Sequence, residues 1–229
     1  MPMSENIRFT LAIDTTVHQC ALSLRNSRGD TTTCEWEANR QLDSVVFSKL
    51  NELLTKGGAT LADIDTIAVN RGPGSFIGSR IGLAVANTFA TTHNIPVCGV
   101  CGLATMAAAA YSTDLLGADE SRLYTAVNCV RRDIFFQTFH LENGAVMSAE
   151  PEACGMLFES FVKHVGTAPV LIRGSKSKLT LTEDELSSMP GSLKFDLNGF
   201  IARMHHEASA HTSAAPLPHP LYVKPDSVP

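Results

Sequence analysis

From Ile81 to Thr113 the chain carries no Asp, Glu, Lys or Arg. A stretch of that kind has to be covered on every side, by the chain's own elements or by a partner. It is not a membrane span, because Asn87, His93, Asn94, Pro96, Gly99 and Gly102 cut it into pieces shorter than the ~20 apolar residues a membrane helix needs. Charge is thin elsewhere too: 18% of side chains are charged and 44% apolar, whereas a typical soluble domain is roughly 25% charged. A chain of 229 residues is long enough for a real core in one or two domains. Part of its surface is therefore expected to lie under a partner. The net charge of −5 and pI near 5.9 supply no general cationic field, which argues against a lone nucleic-acid binder or a membrane-surface protein. The N-terminal residues show no basic segment followed by an apolar run, so a cytoplasmic location is predicted. Cys20, Cys34, Cys98, Cys101, Cys129 and Cys154 are scattered through a chain that needs no staples, and read as free thiols.

Hydrophobic patterning predicts three hairpin-linked strands at 7–14, 20–25 and 31–37. Apolar residues at three- and four-residue steps predict a helix from Leu42 to Gly57-Gly58. A strand at 64–70, a helix at 75–92, a strand at 96–100 and an Ala-rich helix at 103–111 follow. The order is β-β-β-α-β-α-β-α. The pattern restarts with strands at 123–130, 134–141 and 145–147, a helix at 156–165 and a strand at 170–173. The expected organisation is a first lobe at 1–113, a smaller α/β lobe at 114–215, with a helix near 197–210 that packs back on the first, and a Pro-rich tail at 216–229. Leu221-Tyr222-Val223 is expected to strap that tail to the body.

The most informative segment is Asn70-Arg71-Gly72-Pro73-Gly74-Ser75-Phe76-Ile77-Gly78-Ser79-Arg80-Ile81-Gly82. Gly72 and Gly74 permit unusual backbone angles, and Ser75 suits a helix N-cap. Free N–H groups at a helix start suit an anion; a tight strand-to-helix turn is the other reading. The segment matches neither GxxxxGK[ST] nor GxGxxG. Gly78, Gly82, Ala86 and Ala90 recur every four residues and form a small-residue stripe. Isolated glycines cost a helix about 1 kcal/mol each, so the stripe should be packed, either by another chain or by this chain's own helix.

These residues together resemble the bacterial TsaB (YeaZ) family. Leu11-Ala12-Ile13-Asp14-Thr15 with Cys20-Ala21-Leu22-Ser23-Leu24 is similar to its first hairpin, and the run from Arg71 to Ala86 to its signature loop and helix. Ile95 to Val100 with Leu103-Ala104-Thr105, then Arg131 to Phe135, then Leu221-Tyr222-Val223, continue the similarity in order. Ile77 stands where that family usually has Thr. The resemblance implies an α/β fold of the actin, Hsp70 and sugar-kinase class (ASKHA), with two βββαβα-type lobes and the second reduced. It implies a non-catalytic subunit that pairs with a catalytic paralogue, TsaD, joined by an ATPase, TsaE, to form N6-threonylcarbamoyladenosine at position 37 of tRNA. The tRNA would be met through the complex. Docking would fall on Gly78, Gly82, Ala86 and Ala90 with Val46 and Leu50, and the same face could hold a homodimer. Loops that could contact phosphate, including a nucleotide shared across the heterodimer, are Asp14, Thr15, Gly72, Gly74 and Ser75.

Other chemistries fit less well. The paralogue's metal histidines would fall at Gly102 and Met106, neither of which can replace imidazole, so no metal or other resident cofactor is expected. His205, His206 and His211 are assigned to an exposed helix. Cys98-Gly99-Val100-Cys101 has redox spacing, with buried thiols as the alternative. Asp14 with Thr15 and Thr16 could serve an actin-like kinase, but the candidate adenosine loop, Arg173-Gly174-Ser175-Lys176-Ser177-Lys178, has one glycine. GPGSF around Ser75 is not the GxSxG of a nucleophile elbow. No catalytic residue is assigned; a self-sufficient nucleotide-dependent enzyme or a peptidase of the M22 type is the competing reading.

Overall fold

A computed structural model describes residues 8–38, 41–112, 122–142, 145–149, 152–174, 181–210 and 216–223. The expected boundaries at 113/114 and 215/216, the side chain of Cys129, Ile7, Arg40, residues 175–178 of the candidate adenosine loop, His211, Pro225 and Pro229 lie outside the described residues.

The first lobe opens with β1 (Phe9–Asp14), β2 (Gln19–Asn26) and β3 (Thr31–Glu37), continues through α1 (Leu42–Gly57) and β4 (Ile64–Asn70), and then α2 (Phe76–His93), β5 (Val97–Val100) and α3 (Gly102–Ser112). Its sheet order is β3-β2-β1-β4-β5. The hairpin strands pair antiparallel, Asp14 opposite Ala21, whereas β4 and β5 run parallel to β1, Ile13 opposite Val69. Parallel strands require helical crossovers, and α1 and α2 supply them. The second lobe has β6 (Arg122–Val130), β7 (Asp133–Glu142), β8 (Ala145–Ser148), β9 (Cys154–Leu157), α4 (Phe158–Val165), β10 (Val170–Gly174), α5 (Glu183–Ser187) and β11 (Ser192–Leu193), ordered β11-β10-β6-β7-β8, with β9 also on β7. Then α6 (Leu197–Ala210) returns to pack on β1, β4 and β5. The arrangement is the ASKHA fold.

Period-two alternation decides which face of the first sheet meets which helices. Leu11, Ile13, Leu22, Ile67 and Val69 point to one side and meet Val46, Leu50, Leu53, Leu83 and Phe89 of α1 and α2. Small residues, Ala12, Ala21 and Ala68, point to the other side, where α3 and α6 lie close. That second core is continuous with the other lobe: Leu103, Met106, Phe200 and Met204 share it with Leu123, Phe135 and Leu171. A strand buried on both faces reads as an unbroken apolar run, as Leu11-Ala12-Ile13 of β1 does. The third core, with Tyr124, Phe136, Phe161 and Ile172, lies on the outer side of the second sheet.

Local chemistry explains the boundaries. Helix α1 ends where Gly58 takes φ 63° and its N–H reaches Leu54 O and Thr55 O. Asn26 Oδ1 accepts the N–H groups of Arg28 and Asp30, closing the β2–β3 turn. Three readings need correction. The segment at 154–157, expected to lead into a helix from 156, is a strand, because it pairs with β7 (Ile134 opposite Met156) before α4 begins. α5 and β11 were not anticipated, although Thr182 and Glu185 form a capping box legible in the sequence. And α6 is a core helix: His206 is exposed, but His205 is fully buried.

Candidate functional site

Strand β1 ends at Asp14, whose side chain is fully buried. Its Oδ1 accepts from Thr16 N (3.1 Å), Thr16 Oγ1 (2.7 Å) and Asn70 Nδ2 (3.0 Å), and its Oδ2 from Arg173 Nη1 of the second lobe (2.7 Å). Arg173 is 4% exposed, its guanidinium centre 4.5 Å from the Phe195 ring and 4.8 Å from that of Phe200. Asn70 closes β4 and holds the glycine loop in turn, its Oδ1 accepting Gly72 N at 3.0 Å. Gly72 takes φ +106°, which only glycine adopts without strain, and the Gly72–Pro73 peptide is cis.

The residues assigned to phosphate contact are brought together, but as a packed seam and not as an open cradle. Thr15 Oγ1 donates to Gly78 O at 2.7 Å, Ser75 N to Thr16 O at 2.6 Å, and Gly78 N to Ser75 Oγ at 3.2 Å. A Cβ on Gly74 would sit 2.7 Å from Thr16 Cβ. The seam engages the Asp14 carboxylate and the Thr15 hydroxyl, and Ser75 Oγ accepts the Gly78 N–H. The strap at 216–223 seals its outer side: Leu221 N donates to Arg71 O at 2.7 Å, Asn87 Nδ2 to Pro218 O at 3.3 Å, and Arg80 Nε to Tyr222 Oη at 2.9 Å. A cleft of about 880 Å³ opens between the lobes beside Arg173, with Val17, His18 and Trp36 on one wall and Ile172, Leu193 and Phe195 on the other.

The small-residue stripe also faces inward. A Cβ on Gly82 would lie 2.5 Å from Thr15 Oγ1 and 3.4 Å from Ile13 Cγ2, and one on Gly78 would collide with the Thr15 carbonyl. Ala86, Val46 and Leu50 are buried in the same core, and Ala90 packs against it. The six residues assigned to docking are thus covered by their own sheet. The stripe does accept a close neighbour, but that neighbour is the end of β1 with Thr15 just after it, 63 residues before Gly78. What α2 turns outward is Phe76, Ile77, Ala84, Thr88 and Thr91, with Ile77 66% exposed and Ile81 half-buried beside them, and α1 turns out Phe47 at 54%. The threonines on this side are apolar in effect, since Thr88, Thr91 and Thr92 spend their hydroxyls on helix carbonyls at 2.7–2.8 Å. The one full charge of α2, Arg80, lies over the Phe76 ring at 3.8 Å.

At the positions of the paralogue's metal histidines, Gly102 packs on the Asn70 amide and Met106 is fully buried. Burial pushes Cys98 up to about 11 and raises Cys101 too, which disfavours a thiolate at either; Cys98 is a buried thiol, whereas Cys101 is half-buried. Cys20, Cys34, Cys98, Cys101 and Cys154 are free. No helix is long and apolar enough to cross a membrane among the described residues. Sequence reasoning named Asn70 and Arg173 only as members of the glycine segment and of the candidate adenosine loop, and did not find their roles beside Asp14, which act across 56 and 159 residues.

Residues 37–134 match the family model described as TsaD: tRNA N6-adenosine threonylcarbamoyltransferase. The tRNA threonylcarbamoyladenosine biosynthesis protein TsaB of Escherichia coli K12 is 33% identical over 145 residues, 62% of this chain; the match spans 60% of that protein's length. Among solved structures, YeaZ from Pseudomonas aeruginosa is 25% identical with a TM-score of 0.53, covering 65% of this chain and 66% of that one. A second, described as an uncharacterized protein with similarity to peptidase YEAZ from Pseudomonas aeruginosa, is 20% identical but has a TM-score of 0.69 over 95% of this chain and 100% of that one.

Proposed function

We propose, because this chain belongs to the TsaB (YeaZ) family, that it is the non-catalytic subunit of the assembly that forms N6-threonylcarbamoyladenosine at position 37 of tRNA. It pairs with a TsaD-like catalytic paralogue, a TsaE-like ATPase joins them, and tRNA is met through the complex. The observation that carries this reading is the outward face of α2. A surface helix normally turns charge to water, whereas α2 exposes Phe76, Ile77 and Ala84, has Arg80 as its one full charge, and bonds its threonine hydroxyls internally; exposed Phe47 of α1 adds an apolar group, although α1 also carries the Lys49–Glu52–Lys56 ion pairs. Ile77 replaces the family's usual Thr on that face with a larger apolar side chain, which suits a dry contact. A second copy of the chain is an alternative occupant of the same face in the absence of the paralogue.

The buried seam supports the non-catalytic part. The Asp14 carboxylate is fully buried and already has four donors from within the chain. A general base has to present a free lone pair to substrate. The test is co-purification with the paralogue. Ile77→Glu and Ala84→Arg change exposed positions, so the free protein should keep its melting temperature within a degree or two. Complex affinity should fall ~10-fold or more, the effect of about 1.4 kcal/mol for a charge forced into the contact. Undiminished binding by both variants would remove the docking face from the account.

A further inference from the structure

The contacts of Arg173 extend well beyond a local ion pair. Asp14 divides its two oxygens: Oδ1 gathers Thr16 and Asn70 of the first lobe, and Oδ2 is left for Arg173 of the second. Arg173 in turn reaches Gln19 O at 3.4 Å and stacks near Phe195 and Phe200, so its guanidinium is held by both lobes. From Asp14 the bonding continues without a gap. Asn70 Nδ2 also donates to Thr16 Oγ1 at 3.0 Å, Asn70 Oδ1 fixes Gly72 N, and Thr16 O takes the N–H of Ser75, the residue that caps α2. With Asp14 and Arg173 almost wholly out of water, removing the cation leaves a buried carboxylate that has to recruit water or rearrange. Either response pulls on Thr16 and Asn70, and through them on the loop.

We propose that Arg173 is a positioning residue that latches the second lobe onto the first and, through Asp14 and Asn70, sets the loop from which α2 starts. The reduced second lobe then has a role that bears on the first: it fixes the N-terminal end of α2 from behind. This inference does not depend on which partner, if any, covers α2.

Amide hydrogen exchange on the free protein tests it, comparing the wild type with Arg173→Met and Arg173→Lys. Arg173→Met should speed exchange at Thr16, Gly72 and Ser75 by ~10-fold or more, with the amides of β7 staying within about twofold, as expected when a local opening and not global unfolding carries exchange. Arg173→Lys keeps the cation but loses the forked geometry, and should give the same pattern at smaller amplitude. If Arg173→Met does not fold, Arg173→Lys carries the comparison alone. Acceleration confined to β10, or spread equally over both sheets, overturns the proposal, as does a Lys variant whose first-lobe amides exchange like the wild type.

Discussion

His205 shows how much a single side chain's meaning depends on what surrounds it. Its Nε2 lies 3.0 Å from Ser23 Oγ, which itself accepts from Thr33 Oγ1 at 3.1 Å. Nδ1 is buried with no partner. Burial first, and the charge of Arg25 second, hold the imidazole down to about 4 from its usual 6.5. The folded protein therefore keeps this histidine neutral where the unfolded chain would protonate it. Between pH 6.5 and 4 the unfolded state binds more protons, so stability is level above about pH 7 and declines through that window, by ~3 kcal/mol in all. Thermal melts across pH 4–7.5 should show this decline in the wild type and a flatter profile in His205→Gln. The residue's identity is plain in the sequence, but its burial against β2, 182 positions away, is not.

Among the elements, α2 was the most legible and also the most misleading. Its limits, its Ser75 cap and its stripe of small residues all follow from local sequence. Which way the stripe points does not, because glycines report only that something comes close. The chain's own β1 takes that place, and Thr15 fills the space a side chain would need. Gly82→Leu should accordingly yield little folded monomer. Gly82→Ala should fold at a cost of about 1–3 kcal/mol from overpacking, a fall of several degrees in melting temperature. Calorimetry of the purified variants, with no partner present, checks this; a fully stable Gly82→Leu monomer would return the stripe to the surface. For the same reason the proposed docking face is tested at Ile77 and Ala84, which are exposed.

In the molecule as a whole, α3 and α6 sit between two sheets and contribute to one core. The lobes are then not independent folding units. Phe200 is fully buried there and also flanks the Arg173 guanidinium, so Phe200→Ala should cost about 3–5 kcal/mol, roughly 10 °C of melting temperature. The loss should be common to both lobes. Fluorescence of Trp36, the single tryptophan and a first-lobe residue, should fall with the same midpoint as far-ultraviolet circular dichroism. Two separate transitions would contradict a shared core.

The sequence by itself determined the succession of strands and helices in the first lobe, the turn at Gly72, the cap at Ser75 and the shortage of charge along α2 and α3. These are read within a few residues of one another, where periodicity and backbone sterics act. Only the tertiary structure decided that Asp14 meets Arg173, that the glycine stripe rests on Thr15, that His205 is interior, and that Ile77 is what α2 shows to the outside. Each of those depends on which distant segment closes over a surface, and the energies of packing and of buried charge that select it act between residues the linear order keeps far apart.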